Sequence, residues 1–276
     1  MSSMSALSPA PDPRPAAAPT LAIGVLTKNE AHRIANCLRS AAFANEVIVV
    51  DSGSTDDTMR RAQEMGAKVF SYPDWQGFAE QRNRLLAHVG SDYLFFLDAD
   101  EVITPELERE IKAAVASGEA AVWRIWWRMV AYGRELKHYR TRGGPERLFR
   151  RDTLAGFKGV VHEEAVLHPP FVQAPRHQLH GKLLHYTRQS VRESLEKLTQ
   201  YTILGAAKRA AAGKRGGVLR GLAAGGVMFT RLYFLRLGFL CGGAGFLYCA
   251  FYGLEAFLRY AALKYDRENL RGDVGR

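Results

Sequence analysis

Cysteine is scarce in this chain and nowhere paired. Cys37, Cys241 and Cys249 are the three present, with no C-x-x-C spacing among them. An odd, unpaired set argues against a disulfide framework or a thiolate zinc site and suits a reducing compartment. The N-terminus lacks a basic stretch followed by an apolar one, so it does not read as a signal peptide. Instead Pro9, Pro11, Pro13, Pro15 and Pro19 stand among Ala and Ser, and residues 1–19 read as a disordered leader. Acidic residues run short only in the last third. Residues 181–276 hold 16 basic and 6 acidic side chains, so the whole net charge of +10 sits there. At 47% hydrophobic and 24% charged, the 276 residues suit a globular protein rather than a disordered or fibrous one.

From Thr20 short apolar runs alternate with helical stretches. Residues 21–26, 46–50, 68–72 and 93–97 read as strands, and 30–42, 77–89 and a stretch ending near Met65 as helices. Unbroken apolar strands between helices predict an α/β domain whose mostly parallel sheet is covered on both faces. Thr104-Pro105 has the form of an N-cap and first helical position. Past Ala120 come Trp123, Trp126, Trp127 and Tyr132, the Gly143-Gly144-Pro145 turn and the Arg147-Leu148-Phe149-Arg150 run. They predict strands and loops that complete the domain near His185. Ser190 to Glu193 then has the form of a capping box. The expected division is a leader over 1–19, an α/β domain over 20–188 and a helical extension over 189–276.

Three polar clusters follow apolar strands: Thr27-Lys28-Asn29-Glu30, Asp51-Ser52-Gly53-Ser54 and Asp98-Ala99-Asp100. Ligands of open parallel sheets bind outside the carboxyl ends of the strands, so the fold gathers these clusters at one edge. Ser52 and Gly53 permit close backbone approach, and acidic groups can grip a base or ribose. Asp98 and Asp100, at i and i+2 after a buried strand, suit a divalent cation held jointly with substrate phosphates.

The segments "LAIGVLTKNEAHRIANCLRS", "EVIVVDSGSTDDT", "GFAEQRNRLL" and "YLFFLDADE" resemble family 2 glycosyltransferases, which have the nucleotide-sugar-binding GT-A fold. "LFRRDTLAGFKGVVHEE" and "LLHYTRQSVRESLEKLTQYT" narrow the resemblance to the bacterial lipopolysaccharide core-biosynthesis glycosyltransferases. The resemblance implies inverting transfer of a sugar from a nucleotide-sugar donor, with UDP expected, to a glycolipid acceptor, assisted by Mg²⁺ or Mn²⁺. Carried over by motif, Thr27, Asn29 and Glu30 belong to the first nucleotide loop, and Asp51 contacts the base, with Ser52 and Gly53 in its turn. Arg82, between Gln81 and Asn83, meets the diphosphate or lies on a helix surface. Asp98 and Asp100 form the metal-binding D-x-D, and His185 is the late histidine that reaches the metal or simply packs. Glu163 is the expected general base, with Glu164 the neighbour that could hold that role. The usual acid pair is His162-Glu163 here, so the role of His162 stays open.

Trp123, Trp126 and Trp127 suit either core packing or an acceptor platform, and Gly143-Gly144 either a flexible loop or a turn. A histidine zinc cluster is disfavoured by irregular spacing. A D-x-D phosphatase is disfavoured because the motif ends the fourth strand and Glu101 follows it. A non-catalytic membrane scaffold is disfavoured by the retained acids.

The tail carries 18 consecutive uncharged residues, 237–254, interrupted by Gly238, Gly242, Gly243, Gly245 and Gly253. Such a run is borderline for a span. Arg209, Lys214, Arg215, Arg220, Arg231 and Arg236 precede it, and Arg259 and Lys264 follow. Cations beside apolar surface suit an anionic membrane face better than nucleic acid, which base-stacking aromatics would accompany. The expectation is peripheral attachment to the cytoplasmic face of the bacterial inner membrane, with the segment dipping in. Gly217, Gly221 and Gly225, and Gly238 with Gly242, permit close helix packing.

Overall fold

The computed structural model of the chain describes residues 18–141, 143–159 and 163–270. Most of the expected leader and His162 lie outside the described residues. The first half follows the predicted alternation: β1 (Leu21–Thr27), α1 (Ile34–Ala41), β2 (Glu46–Asp51), α2 (Thr58–Glu64), β3 (Lys68–Ser71), α3 (Phe78–Leu86) and β4 (Tyr93–Asp98). Then come β5 (Glu101–Ile103), α4 (Pro105–Ala116), β6 (Val122–Ala131), β7 (Arg134–Glu135), β8 (Glu146–Arg150), β9 (Leu154–Lys158), β10 (Glu164–Leu167) and β11 (Arg176–Tyr186). Three helices close the chain: α5 (Val191–Ala211), α6 (Val218–Thr230) and α7 (Gly242–Tyr265).

The main sheet runs β3-β2-β1-β4-β8-β6-β11-β5, with β7 beside β6. It is parallel from β3 to β4 and mixed beyond, because β8 is antiparallel to both β4 and β6 while β11 is parallel to β6. Strand alternation explains the two cores. Ile23, Val25, Val49, Phe95 and Leu97 face α1 and α4, while Ala22, Leu26, Ile48, Val50, Leu94 and Phe96 face Leu85 and Leu86 of α3. Burial of each large side chain contributes about 1.5–3 kcal/mol, which makes this half the rigid frame. Gly24 lets α3 come close, since a Cβ there would lie 2.3 Å from Leu85 Cδ2.

Helix starts obey local chemistry. Thr104 Oγ1 accepts from Leu107 N at 3.3 Å with Pro105 at the first turn of α4. Ser190 Oγ accepts from Glu193 N at 3.0 Å, and the Glu193 carboxylate reaches back to Gln189 N at 2.6 Å. The same carboxylate pairs with Arg33 at 3.1 Å and Lys197 at 2.8 Å, tying α5 to the first loop of the sheet.

The uncharged run of 237–254 is not one helix. Leu237 adopts a left-handed conformation at φ 60° and residues 238–241 form a 3₁₀ turn, so α7 begins at Gly242. α6 continues into a π-helical turn over Arg231–Leu235. α6 and α7 lie antiparallel and very close. A Cβ on Gly221 would meet Phe257 O at 2.7 Å, and one on Gly225 would meet Gly253 O at 2.8 Å. Gly238 is likewise pressed on Cys249 Sγ, whereas Gly242 has nothing within 4 Å. This hairpin docks on the sheet through Leu232, Tyr248 and Cys249 against Ala131 and Leu136. Arg188, 1% exposed, locks it by an ion pair to Glu255 at 3.1 Å, beneath the Tyr252 ring.

Burial works against the Glu193 charge, yet the bonds from Lys197 and Gln189 prevail and lower its pKa from 4.5 to about 2. A lowered folded value means stabilisation that is full above about 4.5 and is lost as pH falls toward 2. Glu193→Gln should therefore cost about 1–3 kcal/mol at pH 7, measured by urea unfolding. The two proteins should converge as the measurement is repeated at progressively lower pH.

Candidate active site

Sheet register brings the three polar clusters together. Thr27 pairs with Asp51, and Leu26 with Asp98, so the carboxyl ends of β1, β2 and β4 share one edge. Around β1 and β2 the side chains mostly serve their own loops. Asp51 is fully buried and accepts from Gly53 N at 2.9 Å and Ser54 N at 2.8 Å, with Ser54 Oγ on its other oxygen. Asn29, at φ 55°, accepts from Thr55 N at 2.8 Å and donates its own N–H to Ser54 Oγ. Ser52 N bonds Thr27 O. Burial raises the Glu30 carboxyl despite Arg33 beside it. Thr27 Oγ1 is buried without a partner among the described residues.

The charged centre lies at the end of β4. Arg147 Nη2 donates to Asp98 Oδ2 at 2.6 Å and Glu101 Oε1 at 2.8 Å. Trp127 Nε1 also donates to Glu101 Oε1, at 2.7 Å, and Asp98 N donates to Glu101 Oε2 at 2.9 Å. Glu101 thereby closes the D-x-D turn from below. Burial opposes the Asp98 charge, but Arg147 and Arg82 hold its carboxyl well below the usual carboxylate range. Burial pushes the Glu101 carboxyl up to about 7 against the pull of Arg147.

Arg82 is a buried arginine, 6% exposed, and not a helix-surface one. Its guanidinium lies 3.2 Å from Glu163 Oε1 and 3.6 Å from Asp98 Oδ1, over the rings of Phe96 and Phe157. Gln81 and Asn83 on either side do structural work: Gln81 bonds Tyr72 O, and Asn83 clamps both backbone groups of Phe157. Glu163 is turned toward Arg82, whereas Glu164 is exposed and opposite Lys158 in the β9–β10 pair.

His185 is joined to this centre by the sheet. It pairs in register with Glu101 of β5, and its Nε2 lies 3.3 Å from Asp100 Oδ2. Burial disfavours its charge, but Asp100 prevails and raises its pKa. Trp127 packs 5.4 Å from it, and Trp123 is core, 4% exposed.

Among the described residues no three His, Cys, Asp or Glu side chains form a self-contained metal cluster. The donor set nonetheless fits a cation completed by phosphate oxygens. Asp100 and His185 Nε2 are spaced so that one small cation can touch both, and His185 Nδ1 has no partner among the described residues. Asp98, Asp100, Glu101 and Glu163 crowd four carboxyl groups around Arg82, Arg147 and His185, an acid-rich setting that favours a cation. Beside Glu163 opens a cleft of about 450 Å³ lined by Arg82, Arg124, Gly144, Glu146 and Arg176. Gly144 there is fixed by contact, since a Cβ would collide with Ile125 O.

Residues 22–164 match the family described as glycosyl transferase family 2. The chain belongs to that family. Its fold is the GT-A fold that the motifs imply. The glycosyltransferase is similar along most of its length to the lipopolysaccharide core biosynthesis glycosyltransferase LpsC of Rhizobium meliloti (strain 1021). The two are 28% identical over 254 residues, 90% of this chain and 92% of LpsC. An uncharacterized glycosyltransferase of Rickettsia felis is 29% identical over 255 residues, 87% of this chain and 88% of that one. Among solved structures, S. aureus TarS 1–349 in complex with UDP is 22% identical, with TM-score 0.40, over 49% of this chain and 47% of that one. Glucosyl-3-phosphoglycerate synthase from Mycobacterium tuberculosis, in complex with Mn²⁺, UDP and glucosyl-3-phosphoglycerate, is also 22% identical. Its TM-score is 0.46, over 68% of this chain and 80% of that one.

Sequence reasoning missed three members of the centre: Arg147, Glu101 and the indole of Trp127. The one signal for Arg147 is a charge entering a strand at the position before Leu148-Phe149, where only a buried acid could receive it.

Asn83 fixes β9, and β9 carries β10 and the adjoining Glu163. Asn83→Ala should lower kcat about tenfold or more through misplacement. UDP affinity, read by calorimetry, should change little.

Proposed function

We propose that the glycosyltransferase moves a sugar, with inversion, from a UDP-sugar to a glycolipid acceptor of lipopolysaccharide core or related envelope glycan synthesis. The observation that carries this is the chain Asp98–Arg82–Glu163, which links the D-x-D to a carboxylate facing an open cleft. The similarity to LpsC supports the acceptor class. Residues 20–188 form the catalytic unit and 189–276 the extension.

In this reading Thr27, Asn29, Glu30, Asp51, Ser52 and Gly53 line the nucleotide. Asp98, Asp100 and His185 would hold Mg²⁺ or Mn²⁺, which would supply charge stabilisation for the departing diphosphate. Glu163 takes the acceptor hydroxyl proton as that oxygen attacks the anomeric carbon. Glu163 Oε1 is occupied by Arg82 here and so is not free to accept a proton. An arriving diphosphate competes for the guanidinium by forked hydrogen bonds and frees Glu163, so donor binds before acceptor.

Calorimetry should show UDP binding with Mn²⁺ that is lost in Asp98→Ala and Asp100→Ala. Glu163→Gln should keep that binding and lose about 10²–10⁴ in turnover. A dead Glu164→Gln beside an active Glu163→Gln would overturn the base assignment.

The extension attaches the glycosyltransferase to the anionic cytoplasmic face of the bacterial inner membrane. Val218–Leu235 and Gly238–Tyr265 are long and apolar enough to cross a bilayer by composition, with 17% and 39% of their windows buried. Crossing would tear α7 from the sheet and place Glu255 and Arg259 in lipid, so the hairpin lies flat. Its outward face carries Leu219, Leu222, Val227, Phe234 and Leu235. Anionic vesicles should sediment the protein, and salt should release it in part. Leu219→Glu with Leu222→Glu should weaken sedimentation and leave turnover on a soluble acceptor analogue intact.

A further inference from the structure

Arg147 enters from β8, a strand that belongs to no nucleotide loop, and is 2% exposed. A single nitrogen, Nη2, serves both Asp98 and Glu101, while Nε and Nη1 are buried without partners among the described residues. A guanidinium has five N–H groups, and leaving buried donors idle is costly. The ring of Trp127, 5.9 Å away, cannot replace an acceptor oxygen. The arrangement thus has spare donors at the D-x-D and a cation already seated on the carboxylate that a metal would need. Arg82, 3.6 Å from Asp98 Oδ1, guards the other oxygen.

We propose that Arg147 is the resident cation of the D-x-D. It supplies counter-charge to Asp98 and Glu101 while the site lacks donor, then yields Asp98 to the divalent ion and gives its idle N–H groups to the donor diphosphate. The idea rests on the metal-assisted reading given above. Arg147 acts on the cation through Asp98 and on the diphosphate directly. Its presence makes the bare site a poor metal binder and makes metal and nucleotide bind together, since the diphosphate gives the displaced guanidinium a new partner.

Electron paramagnetic resonance of free Mn²⁺ tests this on the full-length protein, with and without UDP. Arg147→Gln should bind Mn²⁺ without nucleotide about tenfold or more tightly, since it removes a like-charged competitor from the Asp98 carboxylate and a charge at this range shifts carboxylate affinity by that order. UDP should then improve Mn²⁺ affinity less than it does in the wild type. Loss of Arg147 leaves Glu101 buried and unpaired, so Arg147→Lys is measured alongside. It keeps a charge for Glu101 but not the fork, and should shift both quantities the same way by a smaller amount. A purely structural arginine would on removal weaken Mn²⁺ and UDP binding together. Folded variants with unchanged or weaker bare Mn²⁺ affinity overturn the proposal, while coupling in the wild type leaves the metal reading standing. A wild type whose Mn²⁺ affinity does not respond to UDP overturns both.

Discussion

The mutual repulsion of carboxylates at the end of β4 is the constraint around which the active site is arranged. Asp98, Asp100 and Glu101 fall within four residues, and Glu163 comes in from another strand pair. Like charges this close and this poorly hydrated cannot share a site without counter-charge. Arg147 supplies it from one side and Arg82 from the other, while His185 meets Asp100. Removing one partner of a buried pair such as Arg147–Glu101 costs about 3–5 kcal/mol, because the other is left as an uncompensated charge. Glu101 links the turn to the sheet, because its own strand β5 is paired with β11 and therefore with His185.

The parallel half of the fold is legible in the sequence because its strands are apolar on both faces and separated by helices, a local pattern. β1 to β4 and their helices fall within a few residues of where periodicity puts them. The other half depends on partners far apart in sequence. β6 lies between β8 and β11, and no local periodicity says that β8 runs antiparallel while β11 runs parallel. The site divides in the same way. Asp98 and Asp100 announce themselves by spacing after a strand, and Glu163 and His185 by likeness to family motifs. Arg147 is separated by 49 residues from Asp98 and does neither. The orientation of Arg82 toward Glu163, across 81 residues, is a fact of tertiary packing alone.

The tail shows the converse case, where a sequence run suggests one element and packing makes two. Residues 237–254 are uniformly uncharged, but the left-handed turn at Leu237 and the short 3₁₀ segment divide them. Glycines that lower helix propensity in isolation here permit backbone contact between α6 and α7. What they forfeit locally is recovered in the hairpin, whose inner face is fastened to the sheet and whose outer face stays apolar and open.

The latch between Arg188 and Glu255 joins positions 67 residues apart. Synthesis proceeds from the N-terminus at about 5–20 residues per second, so a nascent chain spends several seconds with Arg188 made and Glu255 not yet polymerised. Arg188 follows His185 by three residues, just past the end of β11, the strand that pairs with Glu101. The ribosome therefore releases the parallel half of the sheet early, while Arg188, buried in the finished protein, still lacks its acidic partner. That pairing waits for α7 to leave the exit tunnel. Closure of the β11 end of the sheet and arrival of the α6–α7 hairpin become one event in time.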